Sequence, residues 1–113
     1  NVTCLVAERG EAGALFSGSV DCTIRKWDLS KGEVLATLSG HQKLVTCLAL
    51  HDEANRLYSA SGDGTVKKWD AATGELLMTL EGHRRIVACL AISRGENALF
   101  SGSGDRTVKK WDL

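Results

Sequence analysis

Proline is absent from this chain of 113 residues, aromatic side chains make up only 5%, and fourteen acidic residues cancel fourteen basic ones. Each shortage excludes something. Without a charge excess there is no long-range field of the kind that drives nonspecific binding to nucleic acid or anionic membranes, so neither is expected as a partner. No apolar run approaches the roughly 20 residues that span a bilayer, and Asn1-Val2-Thr3-Cys4-Leu5 lacks the basic stretch of a signal peptide. An intracellular chain, cytoplasmic or nuclear, is expected. The four cysteines, Cys4, Cys22, Cys47 and Cys89, show no Cys-x-x-Cys spacing of the kind a zinc site uses. No metal, cofactor or disulfide is expected. Cys4, Cys47 and Cys89 recur at one repeat position, which holds them apart, and all four read as small buried thiols of a reducing compartment.

What the chain has instead is repetition. Trp-Asp returns at Trp27-Asp28, Trp69-Asp70 and Trp111-Asp112, each pair 42 residues from the next. In the same frame return Ser17, Ser59 and Ser101; Asp21, Asp63 and Asp105; Thr23, Thr65 and Thr107; and Gly40-His41 with Gly82-His83. A period between 20 and 50 residues marks a solenoid, a propeller or another array, in which stacked neighbours make the core that one unit cannot make alone. The 113 residues hold about 2.7 such units, so the array is expected to be incomplete.

Within one unit, the apolar run Leu44 to Leu50 reads as a strand buried on both faces, ending at the polar stretch His51 to Asn55. Arg56 to Ala60 forms a second strand, closed by Gly62-Asp63-Gly64, whose Asp-Gly pair signals a hairpin. Thr65 to Trp69 is the third strand, and Ala71-Ala72-Thr73-Gly74 the next turn. Glu75 to Leu80 is the fourth, because six residues are too few for a stable helix despite their helical propensity. Four short strands joined by tight turns make one antiparallel sheet, and radial repetition of such sheets makes a propeller.

The Gly-His to Trp-Asp units resemble the WD-repeat β-propeller family, and the resemblance covers the whole chain. Gly40-His41 through Trp69-Asp70 and Gly82-His83 through Trp111-Asp112 match in full, whereas the first unit lacks its Gly-His pair. The resemblance implies an all-β fold of four-stranded antiparallel blades, with blades at residues 1–38 and 41–80 and an incomplete three-stranded blade at 83–113. Propellers of the family commonly close with about seven blades. The one-residue mismatch between Val2 and Val45 is assigned to the loop Arg9-Gly10-Glu11-Ala12-Gly13. Two departures stand out. The family's Ser-Pro-Asp-Gly loop is replaced by Glu8-Arg9-Gly10, His51-Asp52-Glu53 and Ser93-Arg94-Gly95. The residue before each Trp is Lys26, Lys68 or Lys110 where the family has an aliphatic one; its stem can be buried with the ammonium solvated or glutamate-paired, a dedicated acidic partner being the less favoured alternative.

His41, Ser59 and Asp63 have the composition of a hydrolytic triad, but a catalytic set is usually unique in a domain and this one returns as His83, Ser101 and Asp105. The resemblance implies a buried hydrogen-bond network instead: His41, Ser59, Asp63 and Trp69, then His83, Ser101, Asp105 and Trp111, with Ser17, Asp21 and Trp27 awaiting a histidine. Ser19, Ser61 and Ser103 are alternatives for the serine. His51 lies outside this frame and reads as a solvated side chain.

The function these features point to is a noncatalytic scaffold for protein partners, not an enzyme, assembled with the remaining blades of a larger propeller in a multiprotein complex. The alternatives are a self-assembling propeller module and an accessory domain of a larger enzyme. By resemblance, the partner-binding face comprises Asn1, Thr3 and Val20; Leu44, Thr46 and Gly62; and Ile86, Ala88 and Gly104, with Arg84 and Arg85 adjoining. These positions offer no aromatic anchor of the hot-spot type and no phosphate cage.

Overall fold

The computed structural model describes residues 1–8 and 13–113. Apart from Gly13, the loop assigned to the one-residue mismatch lies outside them. Eleven strands form three antiparallel sheets in chain order. The first contains β1 (Val2–Ala7), β2 (Ala14–Ser19), β3 (Ile24–Asp28) and β4 (Glu33–Leu38). β5 (Val45–His51), β6 (Arg56–Ser61), β7 (Val66–Asp70) and β8 (Leu76–Leu80) form the second. The third has β9 (Val87–Ser93), β10 (Ala98–Ser103) and β11 (Val108–Asp112). A short 3-10 turn, Asp52–Ala54, joins β5 to β6 and was not foreseen. It closes on Asn55, whose φ of 53° is the left-handed conformation that asparagine tolerates.

The sheets stack face to face. β1 packs beside β5 and β5 beside β9, while β2 and β6 each face the first strand of the next sheet. Apolar side chains therefore meet between sheets rather than within them. One core joins Phe16, Ile24 and Leu38 of the first sheet to Val45, Leu48, Leu57 and Trp69 of the second. Another joins Tyr58, Ala60 and Val66 to Val87 and Leu99 of the third. Burying one such side chain stabilises by roughly 1.5 to 3 kcal/mol, and these side chains are buried by the stacking of sheets. The approach is close: a Cβ added to Gly18 would lie 2.6 Å from both Cys4 Sγ and Val45 Cγ1.

Two burial expectations need correction. β5 is only half-buried outside Val45 and Leu48, and β6 is the strand covered on both faces. β5 lies at the edge of its sheet, whereas β6 is flanked by β5 and β7 and sandwiched between neighbouring sheets. The thiols are not uniformly buried either: all four cysteines are free, Cys4, Cys22 and Cys47 are partly covered, and Cys89 is exposed on the third sheet. A fourth sheet beyond Cys89 would cover it as the third covers Cys47.

Backbone and side-chain bonds stitch the stack. The hydroxyls of Thr3 and Thr46 donate to the carbonyls of Val45 and Val87 in the next sheet. Lys26, the residue before the first Trp, reaches across the seam and donates to the Ala71 carbonyl at 2.9 Å, with its ammonium 5.6 Å from the Phe16 ring centre.

Candidate functional site

The turn between the second and third strand of each sheet is built around an aspartate. In the second sheet, Asp63 Oδ1 accepts the Thr65 N–H at 2.9 Å and the Thr65 hydroxyl at 2.6 Å. Its Oδ2 accepts the Gln42 N–H at 3.0 Å and lies 3.0 Å from His41 Nδ1. A carboxylate only accepts, so Nδ1 carries the proton. His41 Nε2 is then left to accept from the Ser59 hydroxyl, 2.6 Å away, and Ser59 Oγ in turn accepts the Trp69 indole N–H at 2.8 Å. The chain of bonds runs from a half-buried turn to the buried indole, and no buried side-chain N or O among the described residues lacks a partner.

The third sheet repeats the set. His83 Nδ1 lies 3.1 Å from Asp105, His83 Nε2 2.7 Å from Ser101 Oγ, and the Trp111 indole donates to Ser101 at 2.8 Å. In the first sheet, Trp27 donates to Ser17 at 2.8 Å and Asp21 holds the Thr23 N–H and hydroxyl. Ser19, Ser61 and Ser103 are not alternatives for the network serine. They cap the aspartate turns, as Ser61 does by accepting the Asp63 N–H at 3.1 Å and donating to the Lys43 carbonyl.

Sequence reasoning noted Thr23, Thr65 and Thr107 but gave them no role. They bond the aspartate through both N–H and hydroxyl. An Asp-x-Thr spacing within a turn was the available signal.

In the second sheet the electrostatics favour the neutral form of His41 and the ionised form of Asp63. Burial holds His41 below the usual histidine value, more than the Asp63 carboxylate raises it. Burial also disfavours the ionised Asp63, but the hydrogen bonds from Thr65, the Gln42 N–H and His41 outweigh it and bring the carboxyl down to about 2. Asp105 is lowered in the same way, chiefly by the Thr107 hydroxyl and the Arg84 N–H. Ser59 and Ser101 are fully buried, so neither hydroxyl faces a cleft where a substrate carbonyl would sit.

The expected partner-binding positions fall into bonded pairs at the tips of the sheets. Val20 N–H donates to the Asn1 carbonyl, Gly62 N–H to Leu44 and Gly104 N–H to Ile86, all at 2.9 Å. Val20, Ile86, Ala88, Arg84 and Arg85 are exposed, while Leu44 is half-buried over Gly62. Thr3 and Thr46 have their hydroxyls engaged between sheets, as described above. No group of three or more His, Cys, Asp and Glu side chains among the described residues has the geometry to hold a metal ion.

The family model for the WD domain, G-beta repeat, matches residues 1–28, 32–70 and 74–112. This chain belongs to the WD40 repeat family. The family match ends each unit at its Trp-Asp pair, so that the outer strand of one sheet opens the next repeat. The WD40 fold is also that of two solved structures, U3-55K and the RRP9 WD40 repeats, each 35% identical with a TM-score of 0.92 over 99% of this chain. The chain spans 36% and 35% of those two chains. An uncharacterized WD repeat-containing protein of Schizosaccharomyces pombe is 43% identical over 53 residues, covering 43% of this chain and 14% of the relative. A Lissencephaly-1 homolog of Caenorhabditis briggsae is 54% identical over 37 residues, covering 33% of this chain and 10% of the relative. The WD40 segment is thus a small part of the relatives it matches. No helix among the described residues is long and apolar enough to cross a membrane.

Proposed function

We propose that this WD40 segment is part of a noncatalytic scaffold that binds protein partners within a larger assembly. The observation that carries this reading is the construction of the sheet tips. In the second and third sheets the Asp-anchored turn is locked to its core by the His-Ser-Trp chain, and all three sheets present a bonded pair of residues outward, Asn1 with Val20, Leu44 with Gly62 and Ile86 with Gly104. A rigid frame with variable, exposed tips is suited to recognition, and the fully buried serines are unsuited to nucleophilic chemistry. The three blades proposed at residues 1–38, 41–80 and 83–113 are completed by further blades of the same chain, a reading supported by the 36% share of the U3-55K chain that this segment covers. Four free cysteines support an intracellular location.

The test is Leu44→Glu together with Ile86→Glu in the full-length protein, followed by recovery of copurifying proteins. Charge placed in a contact that must be desolvated weakens it, so recovery should drop while circular dichroism stays unchanged. Because Leu44 is half-buried and Ile86 is exposed, Ile86→Glu alone serves where the pair disturbs folding. Undiminished recovery with a folded variant would move binding off this face.

A further inference from the structure

Among the described residues, the lysine before each tryptophan has a carboxylate beside it in two sheets and none in the other. Lys26 Nζ lies 3.9 Å from Glu8, and Lys110 Nζ lies 3.4 Å from Glu96. Lys68 makes no hydrogen bond or ion pair among the described residues. The strand register shows what replaced its partner. Ala7 pairs with Leu15 and Leu50 with Leu57, so His51 stands where the first sheet has Glu8. By the same register Arg56 stands in place of Ala14, and Tyr58 in place of Phe16. Relative to the first sheet, the second has a histidine in place of the acid, an added cation, and a hydroxyl on the aromatic ring beside the lysine; the third sheet has Ser93 at the same place and reaches Lys110 from Glu96 instead.

These changes converge on one cavity. The seam between the second and third sheets holds a space of about 250 Å³ lined by His51, Arg56, Tyr58, Lys68, Asn97 and Leu113. Tyr58 is 2% exposed, and its hydroxyl bonds to no described residue; since no sealed side-chain N or O among the described residues lacks a partner, the hydroxyl is the part of Tyr58 that opens to the cavity. His51 is not the solvated side chain expected from sequence: only 13% of it is exposed, and it lies 3.5 Å from the outward-facing Glu53. Arg56 lies 3.9 Å from Asp70. Neither acidic residue lines the cavity.

We propose that this seam binds a single anionic group, a carboxylate or a phosphate, in the place that the Glu8 carboxylate fills in the first sheet. The Tyr58 hydroxyl donates to it, and Lys68 and Arg56 supply charge-assisted contacts, which are stronger than neutral ones. The volume is below the roughly 300 to 1,000 Å³ of drug-sized pockets, so the ligand is a small anion or one acidic side chain of a partner protein. This site is independent of the sheet-tip face above.

Isothermal titration of the full-length protein with inorganic phosphate, with glutarate and with an oligoglutamate peptide tests it. At least one probe should bind saturably. His51→Glu restores the first sheet's arrangement and should weaken that binding about tenfold or more, the scale of one charge-assisted contact. Tyr58→Phe introduces the residue already present as Phe16 and Phe100, so it should fold normally and still weaken binding severalfold. Saturation by phosphate or glutarate identifies a free small anion; saturation by the peptide alone identifies an acidic side chain. The proposal is overturned if no probe saturates, or if the binding seen is the same in the parent and in folded Tyr58→Phe.

Discussion

The Trp69 indole N–H donates to the Ser59 hydroxyl at 2.8 Å, and the same bond at the same length joins Trp27 to Ser17 and Trp111 to Ser101. The relationship fixes what the serine does. Accepting a hydrogen bond from the indole, Ser59 donates one through its hydroxyl to His41 Nε2, and with Asp63 accepting from Nδ1 the bond directions are fully assigned. A hydrolytic serine has the same histidine and aspartate behind it, but its oxygen must face a substrate and not a tryptophan.

The first expectation follows from that burial. A fluorophosphonate reagent that labels activated serines should leave Ser59 and Ser101 of the native full-length protein unmodified, because both are fully buried. Mass spectrometric detection of adduct on either residue, in protein still folded, would assign it a nucleophilic role.

Acid should destabilise the fold, with the sign set by two groups. His41 is held below its ordinary value of 6.5, so below that pH the unfolded chain takes up a proton that the folded chain resists. Asp63 is lowered from 3.8 to about 2, so its contribution is present above 3.8 and is lost as pH falls towards 2. Melting temperature should therefore decline below about pH 6.5. Asp63→Asn should make the decline below pH 3.8 shallower, and an unchanged acid limb would contradict the assignment.

Turn strain offers an internal comparison, because Cys22, Gly64 and Arg106 share one repeat position with φ of 75°, 84° and 71°. A side chain in that conformation costs roughly 1 to 2 kcal/mol, against about 0.5 to 1 kcal/mol for the extra freedom of glycine in the unfolded chain. Cys22→Gly should thus stabilise by up to about 1 kcal/mol, and Gly64→Ala should destabilise by a similar amount, about 1 kcal/mol. Crowding adds to the latter, since the new Cβ would lie 3.2 Å from the His83 carbonyl. Denaturant midpoints measure both; opposite signs would refute the strain argument.

The sheets were legible from the sequence because turn chemistry is local. Gly62-Asp63-Gly64 ends β6 and starts β7 within a residue of the expected positions, and β8 forms at Leu76–Leu80 despite its helical propensity. The Trp-Ser and His-Asp bonds were legible through their recurrence. Contacts between sheets were not. Nothing in the spacing of Leu44 to Leu50 distinguishes an edge strand from one covered twice, and nothing near Lys26 in sequence points to the Ala71 carbonyl that holds it. That His51 stands where the first sheet has Glu8 emerges only when registers are compared across sheets.

The central claim is that each aspartate-anchored set supports the fold and thereby holds the recognition surface. Its most direct test is the equilibrium unfolding of Asp63→Ala in the full-length protein. The substitution removes the acceptor of the His41, Gln42 and Thr65 bonds, and orphaned donors of this kind cost about 1 to 3 kcal/mol. A loss in that range, with the folded spectrum retained, is the predicted result. Stability within about 0.5 kcal/mol of the parent, the range of an ordinary surface substitution, would contradict it.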